Sequence, residues 1–120
     1  MQSVVFNQHG GAEVLEITDI AIPEPKQGNV LVKIHAAALN RMDIFVRIGW
    51  PGLKLDLPHI PGADGAGEIV GIGDGVTEWN AGDRVVINSN LGCSFCEKCI
   101  EGKDNLCSDW HLLGESVSGT

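Results

Sequence analysis

Apolar and polar positions alternate most cleanly in NVLVKIHAA, where Val30, Val32 and Ile34 share one face and Leu31, Lys33 and His35 the other. A period of two marks a strand with one buried side. Shorter apolar runs at Val4 to Phe6 and Val14 to Ile20 predict a pair of strands around the turn His9-Gly10-Gly11. GAGEIVGIG and DRVVI add two more, joined through GDGVTEWNAGD. Only MDIFVRIG breaks the period, predicting one or two helical turns ended by Gly49. A loop then runs through Pro51, Pro58 and Pro61, and the residues from Asn88 onward read as polar loop. Short strands, glycine and proline turns and almost no helix predict a mainly β domain, a barrel or a sandwich.

The string GIGDGV invites a phosphate-binding reading. The dinucleotide fingerprint needs G-x-G-x-x-G opening a helix, whose N-terminus receives the pyrophosphate. Here the glycines lead into TEWNAGDRVV, a turn and another strand. The string is read as a turn.

All four cysteines fall in GCSFCEKCIEGKDNLC, with the spacing C-x2-C-x2-C-x7-C over Cys93, Cys96, Cys99 and Cys107. Two intervening residues let a tight turn aim two sulfurs at one ion, and the longer loop closes a tetrahedron. Structural zinc takes four thiolates in this way and keeps no open position. Two other readings stay open. Disulfides suit secreted chains too small to fold unaided, whereas this start, MQSVVFNQHGG, shows no signal peptide. Ferredoxin-type clusters place the fourth cysteine three residues on, before a proline; here the gap is seven and Ser108 follows. Zinc is the preferred ion. His111 is left outside the ligand set, because four thiols already fill it.

Composition narrows the classes of function. The 120 residues suffice for one domain with a core, burying about 65% of the unfolded surface. Sixteen acids against eight bases give a net charge of −8, which argues against nucleic acid or an anionic membrane as partner. No apolar run approaches the roughly 20 residues of a membrane span. A cytoplasmic protein is expected.

With these residues in view, the chain resembles the medium-chain dehydrogenase/reductase superfamily, the zinc-containing alcohol dehydrogenases and their relatives. The resemblance rests on HIPGADGAGEIVGIGDGV, then GDRV, then the cysteine lobe, with NVLVKIHAAALNRMD falling where the family has the strand leading into its active site. It covers essentially the whole chain. It implies a GroES-like, partly open β-barrel with few short helices (α+β) and a structural-zinc lobe at about residues 89–112. It also implies a Rossmann domain that binds NAD(P), absent from these residues. The chain is accordingly expected to be a single GroES-like domain over 1–120, incomplete at its C-terminal end, and inactive by itself. The family is usually dimeric or tetrameric, so a homo-oligomeric parent is expected.

The resemblance also frames the chemistry. Zinc alcohol dehydrogenases hold a second, catalytic zinc with a cysteine in C-x-x-D and a histidine in G-H-E. This sequence has Asn40-Arg41-Met42-Asp43 and Gly62-Ala63-Asp64 instead. An amide and a methyl group cannot replace a thiolate and an imidazole. Met42 stands where alcohol-oxidising relatives carry a hydroxyl that relays the proton, and a thioether relays none. The pattern resembles the quinone oxidoreductase branch, which passes hydride from NADPH to an activated C=C or quinone, although that branch usually lacks the cysteine lobe.

By this resemblance Asn40 is the candidate to bind a substrate carbonyl or a cofactor ribose, its alternative being to cap the turn after Ala36–Leu39, and Arg41 is the candidate to meet cofactor phosphates, its alternative being a surface arginine. Asp43 matches a carboxylate that stands behind the metal ligands in the zinc enzymes, and its alternative work is to cap the short helix. Asp64 is the third candidate in the cleft, holding backbone or Arg41. His35, Trp50 and His59 are read as packing or surface residues. Three functions are thereby weighed: an NAD(P)H-dependent reductase fragment carrying one structural zinc, NADPH being the favoured cofactor; a zinc-dependent alcohol dehydrogenase; and, from another class, a GroES-like or zinc-bearing binding module. The substrates implied are small carbonyl, enone or quinone compounds, or alcohols.

Overall fold

The computed structural model describes all residues from Met1 to Thr120. Strands dominate it, in the order β1 (Gln2–Phe6), β2 (Leu15–Asp19), β3 (Val30–Ala38), β4 (Asp64–Ile72), β5 (Arg84–Val86), β6 (Asn90–Leu91) and β7 (His111–Leu112). Helix α1 (Arg41–Ile48) joins β3 to β4, and a single-turn helix α2 (Glu97–Ile100) sits in the cysteine lobe. This is the mainly β, GroES-like architecture expected, with no closed barrel. The strands form three separate antiparallel sheets, β1-β2, β3-β4-β5 and β6-β7.

The alternation in β3 forms a strand, but one without a clean buried side. Val30, Leu31 and Val32 are half-buried, while the stretch from Lys33 to Ala38 is exposed. The ladder to β4 also slips twice, between Leu31 and Val32 and between Ile34 and Ala36. The first slip leaves Val70 of β4 unpaired and the second leaves His35 of β3 unpaired, so only the second shifts the phase of the β3 side chains. Beyond His35 the faces read from the sequence no longer hold.

The turn between β1 and β2 does more than reverse the chain. Residues Ala12–Val14 wind into a 3-10 turn, so β2 starts one residue later than the apolar run suggests. Val14 then points inward to join Phe6 and Val46 in a small cluster flanked by Met42 and Leu55. His9 Nδ1 lies 3.1 Å from the Val46 carbonyl, and the Gly10 N–H donates to the Arg47 carbonyl at 3.1 Å. Carbonyls at a helix end have no intrahelical partner, so this turn satisfies those of α1. Gly49 ends the helix as expected, at φ +80, a conformation open mainly to glycine.

His59 is 2% exposed and belongs to the core. Its backbone pairs with Phe6 in both directions, at 3.0 and 2.9 Å, and its Nε2 lies 3.1 Å from the Gly114 carbonyl. The C-terminal residues return along the same segment, with the Thr120 N–H donating to the Gly62 carbonyl at 3.1 Å. Gly62 has φ +114, and a Cβ there would lie 2.9 Å from the Thr120 carbonyl oxygen. GIGDGV is a turn: the Gly28 N–H donates to the Asp74 carbonyl at 2.8 Å, and β5 comes next instead of a helix.

Two expectations need correction. The residues after Asn88 are not featureless, because β6, α2, a 3-10 turn and β7 order them locally. The core is also smaller than a 120-residue chain suggests, with only 13 residues buried. The radius of gyration is 15.1 Å, against roughly 13.5 Å for a compact domain of this length. The cause is architectural: three small sheets each leave a face without a covering layer. Ile17 in β2 and Val86 in β5 are 74% and 82% exposed, and Leu39, just past the end of β3, is 94% exposed.

Candidate metal centre and active-site cleft

The thiols of Cys93, Cys96, Cys99 and Cys107 all lie within 4.8 Å of one another. Cys93 and Cys99 are 4.0 Å apart, and Cys96 and Cys107 are 3.8 Å apart. With Zn–S bonds of about 2.3 Å, a regular tetrahedron has S···S edges of about 3.8 Å. The four sulfurs therefore fit one tetrahedral ion, and could hold a structural zinc. All four are free thiols.

Local backbone geometry builds this cluster. Ser94 takes φ +68 just after the first cysteine, which curls the chain so that the Cys96 N–H donates to Cys93 Sγ at 3.3 Å. The Asp109 N–H donates to Cys107 Sγ at 3.3 Å. Such donors stabilise a thiolate. The Cys93 thiol is lowered to about 7, chiefly by a hydrogen bond from the Phe95 backbone. Burial pushes the Cys99 thiol up to about 12, so its proton must be displaced by an incoming ion. His111 stays outside the cluster, with its Nε2 3.7 Å from Asp109 Oδ1.

The other candidates meet where β3 gives way to α1. Ala38 pairs with Asp64 in the β3-β4 ladder, so the antiparallel register brings Asn40 beside a residue 24 positions away. Asn40 Nδ2 donates to Asp64 Oδ2 at 2.8 Å. The expected contact from Asp64 to Arg41 does not form; its carboxylate takes Asn40 and its backbone carbonyl takes Thr120 Oγ1 at 3.2 Å. Asp43 is 7% exposed and reaches back to the start of the helix, its Oδ2 accepting from the Asn40 N–H at 2.6 Å. That is the capping role weighed for it. Its other oxygen, Oδ1, has no partner.

Asn40, Arg41 and Asp43 share a cavity of about 360 Å³ with Leu39, Ile44 and Arg47 among its walls. Arg47 was not singled out in the sequence, although it stands four residues after Asp43, the spacing that puts two side chains on one helix face. Met42 turns the opposite way, onto the Phe6–Val14–Val46 cluster. Ala63 is buried at 7% exposure. His35 and Trp50 are exposed and stand outside this cleft.

The family described as the alcohol dehydrogenase GroES-like domain matches residues 26–120. The chain belongs to this family. This GroES-like domain is 37% identical over 120 residues to an alcohol dehydrogenase of Schizosaccharomyces pombe, covering 98% of the chain and 34% of that protein. It is 39% identical over 98 residues to a quinone oxidoreductase of Homo sapiens, covering 81% of the chain and 30% of that protein. The structure of an NAD-dependent alcohol dehydrogenase superposes with a TM-score of 0.93 at 48% identity, over 100% of this chain and 35% of that one. A cobalt- and zinc-bound thermostable alcohol dehydrogenase from Pyrobaculum aerophilum gives 0.91 at 31% identity, over 100% and 36%. The chain thus spans about a third of the length of these relatives. The resemblance to the medium-chain dehydrogenase/reductase superfamily holds, and its relatives are oxidoreductases. No helix of the GroES-like domain is long and apolar enough to cross a membrane.

Proposed function

We propose that this GroES-like domain is the N-terminal catalytic part of an NAD(P)-dependent oxidoreductase that passes hydride to an activated C=C or quinone without a catalytic zinc. The observation that carries the reading is the Asn40–Asp64 hydrogen bond at 2.8 Å. It ties up the residue that would have to be a metal-binding thiolate, while Ala63 offers a methyl group where the imidazole would be. Lowering the pKa of an alcohol calls for such a Lewis acid; an electrophilic alkene or quinone asks only for positioning and a hydrogen bond to its oxygen.

Asn40 supplies that bond. An amide nitrogen carries two donors, and Asp64 takes one N–H, which leaves the other for a substrate oxygen in the cleft. Bound NAD(P)H would supply the hydride. Arg41 opens the helix at the cavity rim, a position suited to cofactor phosphates, with NADPH the favoured form. No side chain in the cleft is placed as a general acid, so water delivers the proton that completes the reduction. The parent acts on small molecules and is a homo-oligomer in this reading. The four cysteines hold one structural zinc, which cross-links the lobe around them.

The second reading is a zinc-dependent alcohol dehydrogenase, favoured by the alcohol dehydrogenases among the relatives. One assay separates the two. The full-length protein is tested with ethanol, benzyl alcohol, a simple enone and a benzoquinone, before and after brief chelation that spares the four-cysteine site. NAD(P)H-dependent reduction of enone or quinone that survives chelation is expected, falling about tenfold to a hundredfold in Asn40→Ala, the scale of one oriented hydrogen bond. Robust alcohol oxidation abolished by the chelator would give the assignment to the second reading.

A further inference from the structure

The chain holds two Asp-Gly steps, Asp64-Gly65 and Asp74-Gly75, and the fold treats them differently. At such a step the glycine amide nitrogen can attack the neighbouring side-chain carboxyl, because no Cβ shields it and the glycine backbone turns freely. The attack asks for an unengaged carboxyl, an unengaged N–H and a peptide able to rotate.

Asp64-Gly65 is locked. Asp64 Oδ2 accepts from Asn40 Nδ2 at 2.8 Å, and its backbone carbonyl accepts from Thr120 Oγ1 at 3.2 Å. Gly65 is buried in β4, the central strand of its sheet, with Ala37 opposite it and the Ile87 N–H donating to its carbonyl at 2.8 Å.

Asp74-Gly75 lies in the exposed turn that follows β4, the GIGDGV turn. The Asp74 carboxylate enters no ion pair, and the Gly75 N–H donates to no backbone carbonyl. Gly75 sits at φ +82 with open space around it. The turn is closed by the Val76 N–H on the Gly73 carbonyl at 3.4 Å, longer than the usual range of roughly 2.7–3.2 Å. One tie opposes rotation of the Asp74-Gly75 peptide, the Gly28 N–H donating to the Asp74 carbonyl at 2.8 Å. Both of those residues are exposed, so water competes for that bond.

We propose that Asp74 is a site of isoaspartate formation. The Gly75 nitrogen bonds to Asp74 Cγ, its proton and the carboxyl hydroxyl leave as water, and a five-membered succinimide closes. Water then adds to the α-carbonyl carbon of Asp74 and breaks its bond to the Gly75 nitrogen. The main chain now runs through Cγ, and the α-carboxyl becomes a free carboxylate. One water leaves and one enters, with no oxidant or reductant. The turn gains a main-chain methylene, and the oxygen that accepted from Gly28 passes to the new carboxylate. Exposed in the turn, that carboxylate is open to an isoaspartyl methyltransferase, which esterifies it from S-adenosylmethionine. The site goes beyond the proposed hydride transfer, because neither Asp74 nor Gly75 lines the cleft.

Its test ages the full-length protein at neutral pH and physiological temperature, folded and in urea. A Glu-specific protease then cuts after Glu68 and Glu78 and parts Asp74 from Asp64. Isoaspartate in each peptide is counted by methyl transfer from radiolabelled S-adenosylmethionine with a purified isoaspartyl methyltransferase, and placed by electron-transfer fragmentation. In the folded protein Asp74 is expected to convert at least about tenfold faster than Asp64, because reaction at Asp64 waits on the opening of β4. In urea the two rates should converge. Asp74→Glu keeps the charge but enlarges the ring that must close, and should remove most methyl acceptance from the folded protein. Equal rates at the two steps in the folded protein, a ratio that urea leaves intact, or methyl acceptance that survives Asp74→Glu would each overturn the proposal.

Discussion

Replacing Asn40 by Asp tests whether the Asn40–Asp64 contact organises the cleft. The wild-type bond joins an amide to a carboxylate at 2.8 Å. Asn40→Asp sets two carboxylates at that spacing, from which they relax apart. Two unit charges 4 Å apart repel by about 1 kcal/mol in water and by about 4 kcal/mol at an effective dielectric of 20. Both side chains are exposed, so the lower end applies. Adding the lost hydrogen bond, about 1 kcal/mol, gives a destabilisation of about 2 kcal/mol at pH 7. That corresponds to a melting point lower by about 8 °C for a domain of this size. The N-cap position is not the source of the loss, because Asp caps as well as Asn does.

The pH dependence carries the sign. Repulsion requires both carboxylates ionised, so the penalty is present above the carboxylate range and disappears as pH falls through it, when one proton restores a donor between the two groups. The double substitution Asn40→Asp with Asp64→Asn reverses the partners and should recover most of the stability at pH 7. Thermal unfolding of the wild type, Asn40→Asp, Asp64→Asn and the double substitution at pH 7 and pH 3.5 measures all of this. A deficit that persists at pH 3.5, or that the double substitution does not relieve, would refute the reasoning and reduce the contact to a surface coincidence.

The geometry sets two further outcomes. Elemental analysis should find one zinc per chain, and Cys99→Ser should lose it, opening residues 89–112 to proteolysis while β1 to β5 stay intact. The lobe's elements pack mainly on one another, so global unfolding of Cys99→Ser, or iron in place of zinc, would count against this layout. Gly62→Ala should destabilise the chain by about 1–3 kcal/mol, because it forces a side chain into φ +114 and a Cβ to within 2.9 Å of the Thr120 carbonyl oxygen; an unchanged melting temperature would contradict it.

The sequence by itself determined the local features. The cysteine spacing defines a cluster because a C-x-x-C turn needs only neighbouring dihedrals, and Gly49 ends α1 because its φ is a property of the residue. The reading of GIGDGV as a turn holds for the same reason, since the chain re-enters a strand at Arg84 with no helix in between. Asp43 was legible as a cap of the short helix, its contact with the Asn40 N–H spanning one turn.

Contacts between distant segments were decided only by the tertiary structure. The sequence suggested Arg41 as a partner for Asp64, but the β3-β4 register sets Ala38 opposite Asp64 and delivers Asn40 instead. The bulge at His35 moved the faces of β3 by a slip that no alternation within one strand records. The exposure of Ile17 and Val86 came from the grouping of strands into three sheets. Periodicity names a face as apolar because side-chain direction is set by the residue's own backbone; whether anything covers that face depends on packing between segments, and that is fixed by the whole fold.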